Sequence, residues 1–198
     1  MRAWRRYLRN EMRTFASLGL LLGRRRNLAP GATEIGYAGA QRHLLLVTGV
    51  LTLVEGSLFL LVPFGPALHG LLLVLELYSV LLVLGVYAAT VVRPHAVSTK
   101  DLHIRLGAFL DLRVPVRQVC AVHRKPENHQ GKRMITLADG EFVLALNWET
   151  NLVVELSEPV TVTRPLGRTG TARVLKFYAD DPAAGAAAIR DALAAQAR

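Results

Sequence analysis

The chain has 198 residues, is 52% hydrophobic and carries a formal net charge of +9, with a single cysteine that excludes an intramolecular disulfide and fits a reducing compartment. Such a basic balance raises nucleic-acid binding as an alternative, but the hydrophobic residues are concentrated in segment 44–92, which has no Lys or Arg. A soluble domain of this size rarely leaves such a stretch without surface cations, so the composition predicts a membrane protein that binds no nucleic acid.

Residues 1–26 are predicted to form a basic amphipathic helix. At 100° per residue the large apolar side chains fall within roughly 140° of arc, opposite a face rich in Arg. The apolar set comprises Trp4, Tyr7, Leu8, Met12, Phe15, Leu18 and Leu22. This face lies either in the headgroup region of a bilayer or against the C-terminal domain or a partner. We expect no signal peptide, because the apolar run 15–23 is short and lacks a cleavage site of small residues.

Residues 27–42 are dense in Gly and Pro and are predicted to be a linker. Segment 43–92 then predicts a hairpin of two transmembrane helices, because 44–64 and 68–92 each supply about 20 apolar-dominated residues, enough to cross about 30 Å of hydrocarbon. The turn between them has no cation, whereas both outer flanks are basic. We therefore expect a multi-pass protein of the cell (plasma) membrane with cytoplasmic N and C termini.

Two carboxylates interrupt the predicted hairpin. Glu55 and Glu76 each lie about eight residues from the turn, at nearly the same depth of roughly 12 Å. An acidic side chain at that depth is costly unless it is paired or protonated. The candidate intramembrane polar site therefore consists of Glu55, Glu76, Thr52 and Ser79. Two interpretations stay open. In the first, the side chains form hydrogen bonds that hold helices or subunits together. In the second, they form a functional site, such as a proton or cation site or a dock for a basic residue of a partner.

Gly49 and Gly56 are seven residues apart in the first predicted span. Small residues at helical spacing let a second helix approach closely. We therefore expect this face of the first span to contact another helix.

Residues 93–198 are predicted to form a cytoplasmic β domain. About seven to nine short β-prone runs are separated by turn signals, among them 126–128 and Asp139-Gly140, which predicts a tight hairpin. An Ala-rich helix follows, with Asp180 or Asp181 as its cap and Pro182 in its first turn. Trp148 is expected to be a core or interface anchor.

No residues of this domain form a pattern typical of an enzyme. Cys120 and His123 are three apart on a predicted strand, so they are expected to point to opposite faces, and no fourth zinc ligand is evident. There is no nucleophile turn and no phosphate-binding loop. We predict no catalytic residue, no cofactor and no metal site.

The segments RPHAVSTKDLHIRLGAFLDLRVPVRQVCAVH (93–123) and TNLVVELSEPVTV (150–162), together with the helix opened by Asp-Asp-Pro at 180–182, carry a resemblance. Over roughly residues 41–195 the chain resembles the bacterial pleckstrin-homology (PH)-like membrane proteins of the actinobacterial two-transmembrane type. The resemblance implies a membrane α+β fold, in which a two-helix transmembrane hairpin precedes a small PH-like β-barrel or sandwich capped by a C-terminal helix. It implies binding or assembly rather than catalysis.

We therefore expect a non-enzymatic integral membrane module, a scaffold whose PH-like domain binds a protein partner or helps to build a homo-oligomer. The alternative is an accessory or pore-lining subunit of a transport or ion-translocating complex that uses Glu55 and Glu76. The expected partners are membrane lipids and a second copy or another membrane protein. Each cation near an anionic lipid surface contributes about 1 kcal/mol to membrane binding. The candidate membrane-surface contacts are Trp4, Arg5, Arg6, Arg9, Arg13, Arg24, Arg25, Arg26, Arg124, Lys125, Lys132 and Arg133.

Overall fold

The computed structural model of the chain describes residues 2–131, 133–165 and 167–196. Its first half is helical, with a short loop between the second and third helices. These helices are α1 (Arg2–Leu22), α2 (Ala38–Leu61) and α3 (Pro66–Val92). Both α2 and α3 are long and apolar enough to cross a membrane. Pro66 opens α3, where its missing N–H and fixed φ are compatible with a first turn.

The β domain consists of strands, the first of which lies between α1 and α2, a short 3-10 helix (Val116–Gln118) and one α-helix. The elements are β1 (Thr33–Ile35), β2 (His95–Val97), β3 (Asp101–Leu106), β4 (Leu110–Pro115), β5 (Val119–Asn128), β6 (Ile135–Ala138), β7 (Glu141–Leu144), β8 (Glu149–Thr163), β9 (Thr169–Phe177) and α4 (Pro182–Gln196). One sheet has the order β1-β2-β3-β4 and the other β5-β8-β9-β7-β6. All pairs are antiparallel except β7 with β9. The predicted order of two apolar helices, a β domain and a terminal helix is confirmed.

A shared apolar core forms where strand alternation turns one face of each sheet inward. In β3, for example, Leu102, Ile104 and Leu106 are buried while the residues between them are half-exposed, and full burial of each such side chain contributes about 1.5–3 kcal/mol. Helix α4 covers this core through a buried Ile189. Gly185 allows the close approach, because a Cβ there would lie 3.1 Å from side-chain atoms of the neighbouring strands.

The predicted linker 27–42 contributes to the β domain instead of only connecting helices. Its residues 33–35 pair with β2, and Ile35 and Tyr37, two positions apart, both enter the core. Helix α2 consequently begins at Ala38 rather than near residue 43. The sequence carried a weak signal for this strand, since only three residues alternate before the helix begins.

Two predicted turn signals have different outcomes. Asp139 and Gly140 have φ values of 53° and 76° between β6 and β7, so the tight hairpin is confirmed. The turn predicted at 126–128 lies within β5 instead. There the register with β8 shifts between Arg124 and Glu127, which accommodates Pro126 because a proline cannot donate to a regular ladder.

The cap predicted for the terminal helix is confirmed for Asp181. Its Oδ1 accepts the backbone N–H groups of Ala183 and Ala184 at 3.0 and 2.9 Å. The neighbouring Asp180 has a separate role. Its carboxylate accepts the N–H of Gly39 at 3.1 Å, in the first turn of α2.

Candidate functional site

The two apolar helices pack against each other through the predicted glycines. A Cβ on Gly56 would lie 2.5 Å from Cδ of Glu76, and one on Gly49 would lie 3.7 Å from Val83. This register places Glu55 level with Glu76 along the helix pair, as counting residues from the turn predicts. The expectation that Gly49 and Gly56 face another helix is confirmed.

The two carboxylates nevertheless face different surroundings. The Glu76 side chain lies over Gly56, and its Oε1 is buried without a hydrogen-bond partner among the described residues. Glu55 is exposed on the outside of the hairpin. The hydroxyls of Thr52 and Ser79 donate to carbonyls of their own helices, those of Thr48 and Leu75, at 2.9 Å. The hairpin therefore does not bring the four residues of the predicted polar site into one hydrogen-bonded cluster.

The outer surface of the hairpin is apolar along its length. Only 6% of the most apolar 18-residue window in α2, and 11% of that in α3, is buried inside the protein. Core helices of soluble proteins show the opposite, since their apolar faces are covered. An apolar surface of this extent requires either lipid or another protein to cover it.

Helix α1 packs on the second half of α3 through a face of small polar residues. Thr14 and Ser17 are buried there, and a Cβ on Gly85 would lie 2.9 Å from the Thr14 methyl group. The one acid on the apolar side of α1, Glu11, accepts a hydrogen bond from the hydroxyl of Tyr78. Of the large apolar side chains of α1, Phe15 adds a contact with the Tyr78 ring, the two ring centroids lying 6.1 Å apart.

The apolar stripe of α1 therefore remains largely uncovered. Its most exposed members include Trp4 at 64%, Met12 at 71% and Leu22 at 86%, while Phe15 and Leu18 are half-buried. Of the alternatives left open by the sequence, packing of this stripe on the C-terminal domain is not observed in the ranges that the structure describes.

The β domain holds the ends of α2 and α3 that face it. The N–H of Asn27 donates to the carbonyl of Val92 at 2.8 Å. The buried hydroxyl of Tyr37 accepts the N–H of Gly107 at 2.6 Å and donates to the carbonyl of Arg93 at 3.3 Å. At the other helix, the side-chain amide of Asn147 donates to the carbonyl of Ala40. Together with the Asp180 contact, these bonds attach the domain to both helices.

The predicted surface cations whose side chains the structure describes are all exposed. Lys132 and the side chains of Arg5 and Arg6 lie outside the described residues. The exposed cations are Arg9, Arg13, Arg24, Arg25, Arg26, Arg124, Lys125 and Arg133. Two of them are paired, Arg26 with Glu34 and Lys125 with Glu127.

Trp148 is not a core residue, as it is 58% exposed in a tight turn between β7 and β8. The neighbouring Asn147 contacts the start of α2. The carbonyl of Trp148 accepts the N–H of His129 at 2.6 Å. The turn that carries Trp148 is therefore bonded both to the start of α2 and to His129 of the basic segment 124–133. The exposure of Trp148 could not be inferred from the sequence, because Leu-Asn-Trp-Glu also fits a strand end in the core.

Cys120 and His123 are both exposed on β5, where an irregularity between residues 119 and 121 interrupts the alternation. They are therefore not on opposite faces as expected. Within the described ranges, no group of three or more His, Cys, Asp or Glu residues is placed to hold a metal ion.

Comparison of the chain with protein-family models, with curated proteins and with solved structures gives no match.

Proposed function

We propose that this chain is a non-enzymatic membrane module in which α2 and α3 span the cell membrane as a hairpin and hold a PH-like domain at the cytoplasmic surface. The observation that carries this proposal is the apolar, almost entirely unburied outer surface of both helices. The basic flanks and the cation-free turn between the helices support cytoplasmic termini. Two packed sheets with α4 over their core support the PH-like assignment.

The role we assign to the module is assembly, as a scaffold that builds a homo-oligomer or a complex with another membrane protein. Glu55 supports this role, because an exposed carboxyl on a lipid-facing helix costs several kcal/mol unless a partner covers it. In the described part of the chain it has no hydrogen-bond or ion-pair partner. A second copy of α2 would bury it.

The native single cysteine allows a direct test of topology. Cys120 is exposed on the β domain, and Gly65 lies in the loop between the spans, where an added Cβ would have no atom within 4 Å. A membrane-impermeant maleimide should label Cys120 only after cells are permeabilised. It should label Gly65→Cys, in a Cys120→Ser background, in intact cells. Labelling of Cys120 in intact cells, or a chain that purifies without detergent, would contradict the proposal.

Assembly is tested by the mass of the detergent-solubilised particle. We expect wild type and Glu55→Gln to form the same oligomer, because the amide retains hydrogen-bonding capacity. Glu55→Leu should dissociate it, since leucine is stable in lipid without a partner. A monomeric wild-type particle that brings down no second protein would refute the assembly role.

A second candidate function is an accessory or pore-lining subunit of an ion-translocating complex. The observation that favours it is the unpartnered Oε1 of Glu76 in the helix contact, at the same level as Glu55. Cation or proton flux into liposomes that contain the reconstituted oligomer tests this candidate. Flux that is lost in Glu76→Gln, with the oligomer intact, would favour it over a purely structural role.

A further inference from the structure

We propose that a pocket of three arginines at the junction of α1 and the β domain binds a phosphate group. The arginines are Arg9 and Arg13 of α1 and Arg164 at the end of β8. We assign that phosphate to the headgroup of an anionic phospholipid, and this assignment rests on the membrane placement in the proposed function. The phosphate site itself does not depend on that placement. Free phosphate in water is the other source of the same chemistry.

The pocket is small and polar. It has a volume of about 160 Å³ and is also lined by Asn10, Thr163 and the turn between β3 and β4. Clefts that enclose a whole small molecule commonly measure about 300–1,000 Å³. A pocket of this size therefore fits one charged group and leaves the remainder of the ligand outside.

The positive charge of the pocket is not neutralised by the protein. Among the residues that the structure describes, the guanidinium groups of Arg9, Arg13 and Arg164 take part in no ion pair. The one acid in the lining, Asp111, is already engaged, with its Oδ1 3.1 Å from Nδ1 of His103 and 3.3 Å from Nε of Arg105. An anion from outside the chain is therefore the missing counter-charge.

Further cations surround the same region. Arg93 donates to the Ser17 hydroxyl at 3.2 Å, beneath α1. Burial, and after it the positive charges of Arg13 and Arg105, lowers the pKa of Arg93. Like charges are thus close enough to disfavour one another, and a bound anion would relieve this repulsion.

Arg164 also has an unsatisfied donor. Its Nε is shielded from solvent and has no acceptor in the described part of the chain, although the guanidinium borders the pocket. A guanidinium presents Nε–H and a terminal N–H in one plane, a geometry that matches two oxygens of a phosphate. A phosphate group in the pocket would supply an acceptor that this guanidinium lacks.

The position of the pocket favours a lipid as the source. It lies on the arginine-bearing side of α1, and the exposed stripe with Trp4 and Met12 lies on the other. A helix that buries such a stripe at the boundary of headgroups and acyl chains holds its polar face at headgroup level. Phospholipid phosphates are concentrated at that level.

The test uses the full chain in a neutral maltoside detergent and measures its thermal unfolding midpoint. The probes are short-chain phosphatidylglycerol, short-chain phosphatidylcholine and inorganic phosphate, each titrated at constant ionic strength. A ligand that binds the folded state raises the midpoint in proportion to its occupancy. The variants are Arg164→Gln and Arg13→Gln, with Arg117→Gln as a control for charge, because Arg117 is exposed at the far end of β4 from the pocket.

We expect phosphatidylglycerol to stabilise wild type and the control at lower concentrations than phosphatidylcholine does. Each pocket variant should bind it at least about tenfold more weakly, which corresponds to about 1.4 kcal/mol. If inorganic phosphate stabilises wild type equally well and depends on the same arginines, the phosphate site stands and its lipid source is refuted. This arm is independent of whether the hairpin spans a membrane.

Two results would overturn the site itself. One is the absence of any midpoint shift in wild type with all three probes. The other is an equal loss in the control and the pocket variants, which would indicate diffuse charge attraction. If Arg164→Gln does not fold, Arg13→Gln gives the decision, because the Arg13 side chain makes no hydrogen bond or ion pair in the described structure.

Discussion

A buried histidine makes the stability of the β domain depend on pH. His95 is fully buried, with its ring centroid 4.5 Å from that of Tyr37 and 5.1 Å from that of Phe177. Its Nδ1 accepts the backbone N–H of Arg105 at 2.9 Å. Nε2 therefore carries the proton and donates to the carbonyl of Tyr178 at 3.1 Å. A second proton on Nδ1 would break the bond from Arg105 and place a charge in the core.

The magnitude follows from the pKa. Burial lowers the pKa of His95 from 6.5 to about 3. Between pH 6.5 and about 3 the unfolded chain binds up to one proton more than the folded chain, so the free energy of unfolding falls by up to about 1.4 kcal/mol per pH unit. The stability that neutral His95 provides is fully present above pH 6.5 and is lost progressively as pH falls toward 3. Between pH 6.5 and 4.5 we expect a loss of about 2.5 kcal/mol.

The assay is urea unfolding in detergent at a series of pH values, with Trp4→Phe in the background so that Trp148 alone reports on the β domain. The comparison is with His95→Gln, whose amide can donate to the Tyr178 carbonyl but does not titrate. The variant is expected to start less stable and to change less over this range, because the other titrating groups are the same in both proteins. Parallel pH profiles for the two proteins would refute the reasoning.

Two further predictions concern the hairpin and its surroundings. Gly56→Ala should lower stability by about 1 kcal/mol, because its Cβ would overlap Cγ and Cδ of Glu76 and force that side chain into another rotamer. Gly49→Ala, whose Cβ makes only ordinary contacts, should be neutral in the same thermal assay, and equal losses would contradict this packing. In single-tryptophan variants in bilayers, both Trp4 and Trp148 should be quenched more by lipids brominated near the headgroup than by lipids brominated deep in the acyl chain. Absence of quenching for Trp148 would show that this part of the β domain does not lie at the lipid surface.

Local signals in the sequence predicted the elements well. The cation-free run predicted two long helices, Asp139-Gly140 predicted a hairpin, and Asp181 predicted a helix cap, because each of these depends on neighbours within a few residues. Strand β1 was missed for the opposite reason. Its three residues become a strand only by pairing with β2, about sixty positions later.

In the candidate site, too, features set by neighbouring residues could be predicted, whereas features set by distant contacts could not. Counting residues from the turn was enough to place Glu55 and Glu76 at one depth, because helical rise is constant. Which way each side chain faces depends on the rotation of each helix about its axis, and this is set by the contact between Gly56 and Glu76. The arginine pocket was beyond local reasoning, since Arg164 is about 150 residues from Arg13 and the two meet only through the tertiary fold.

The attachment between the β domain and the hairpin bears on how an assembly role would work. A domain on a flexible tether would leave the helix ends free, whereas Asp180 lies against the first turn of α2, where a negative charge is favourable. A Cβ on Gly39 would lie 2.7 Å from Oδ1 of Asp180, so the two segments approach too closely to leave room for a side chain at residue 39. Tyr37 joins the end of α3 to the turn between β3 and β4 in the same way. If the proposed assembly forms, a partner bound to the domain would therefore act on the orientation of α2 and α3. Contacts between these helices in neighbouring copies would in turn fix the spacing of the domains.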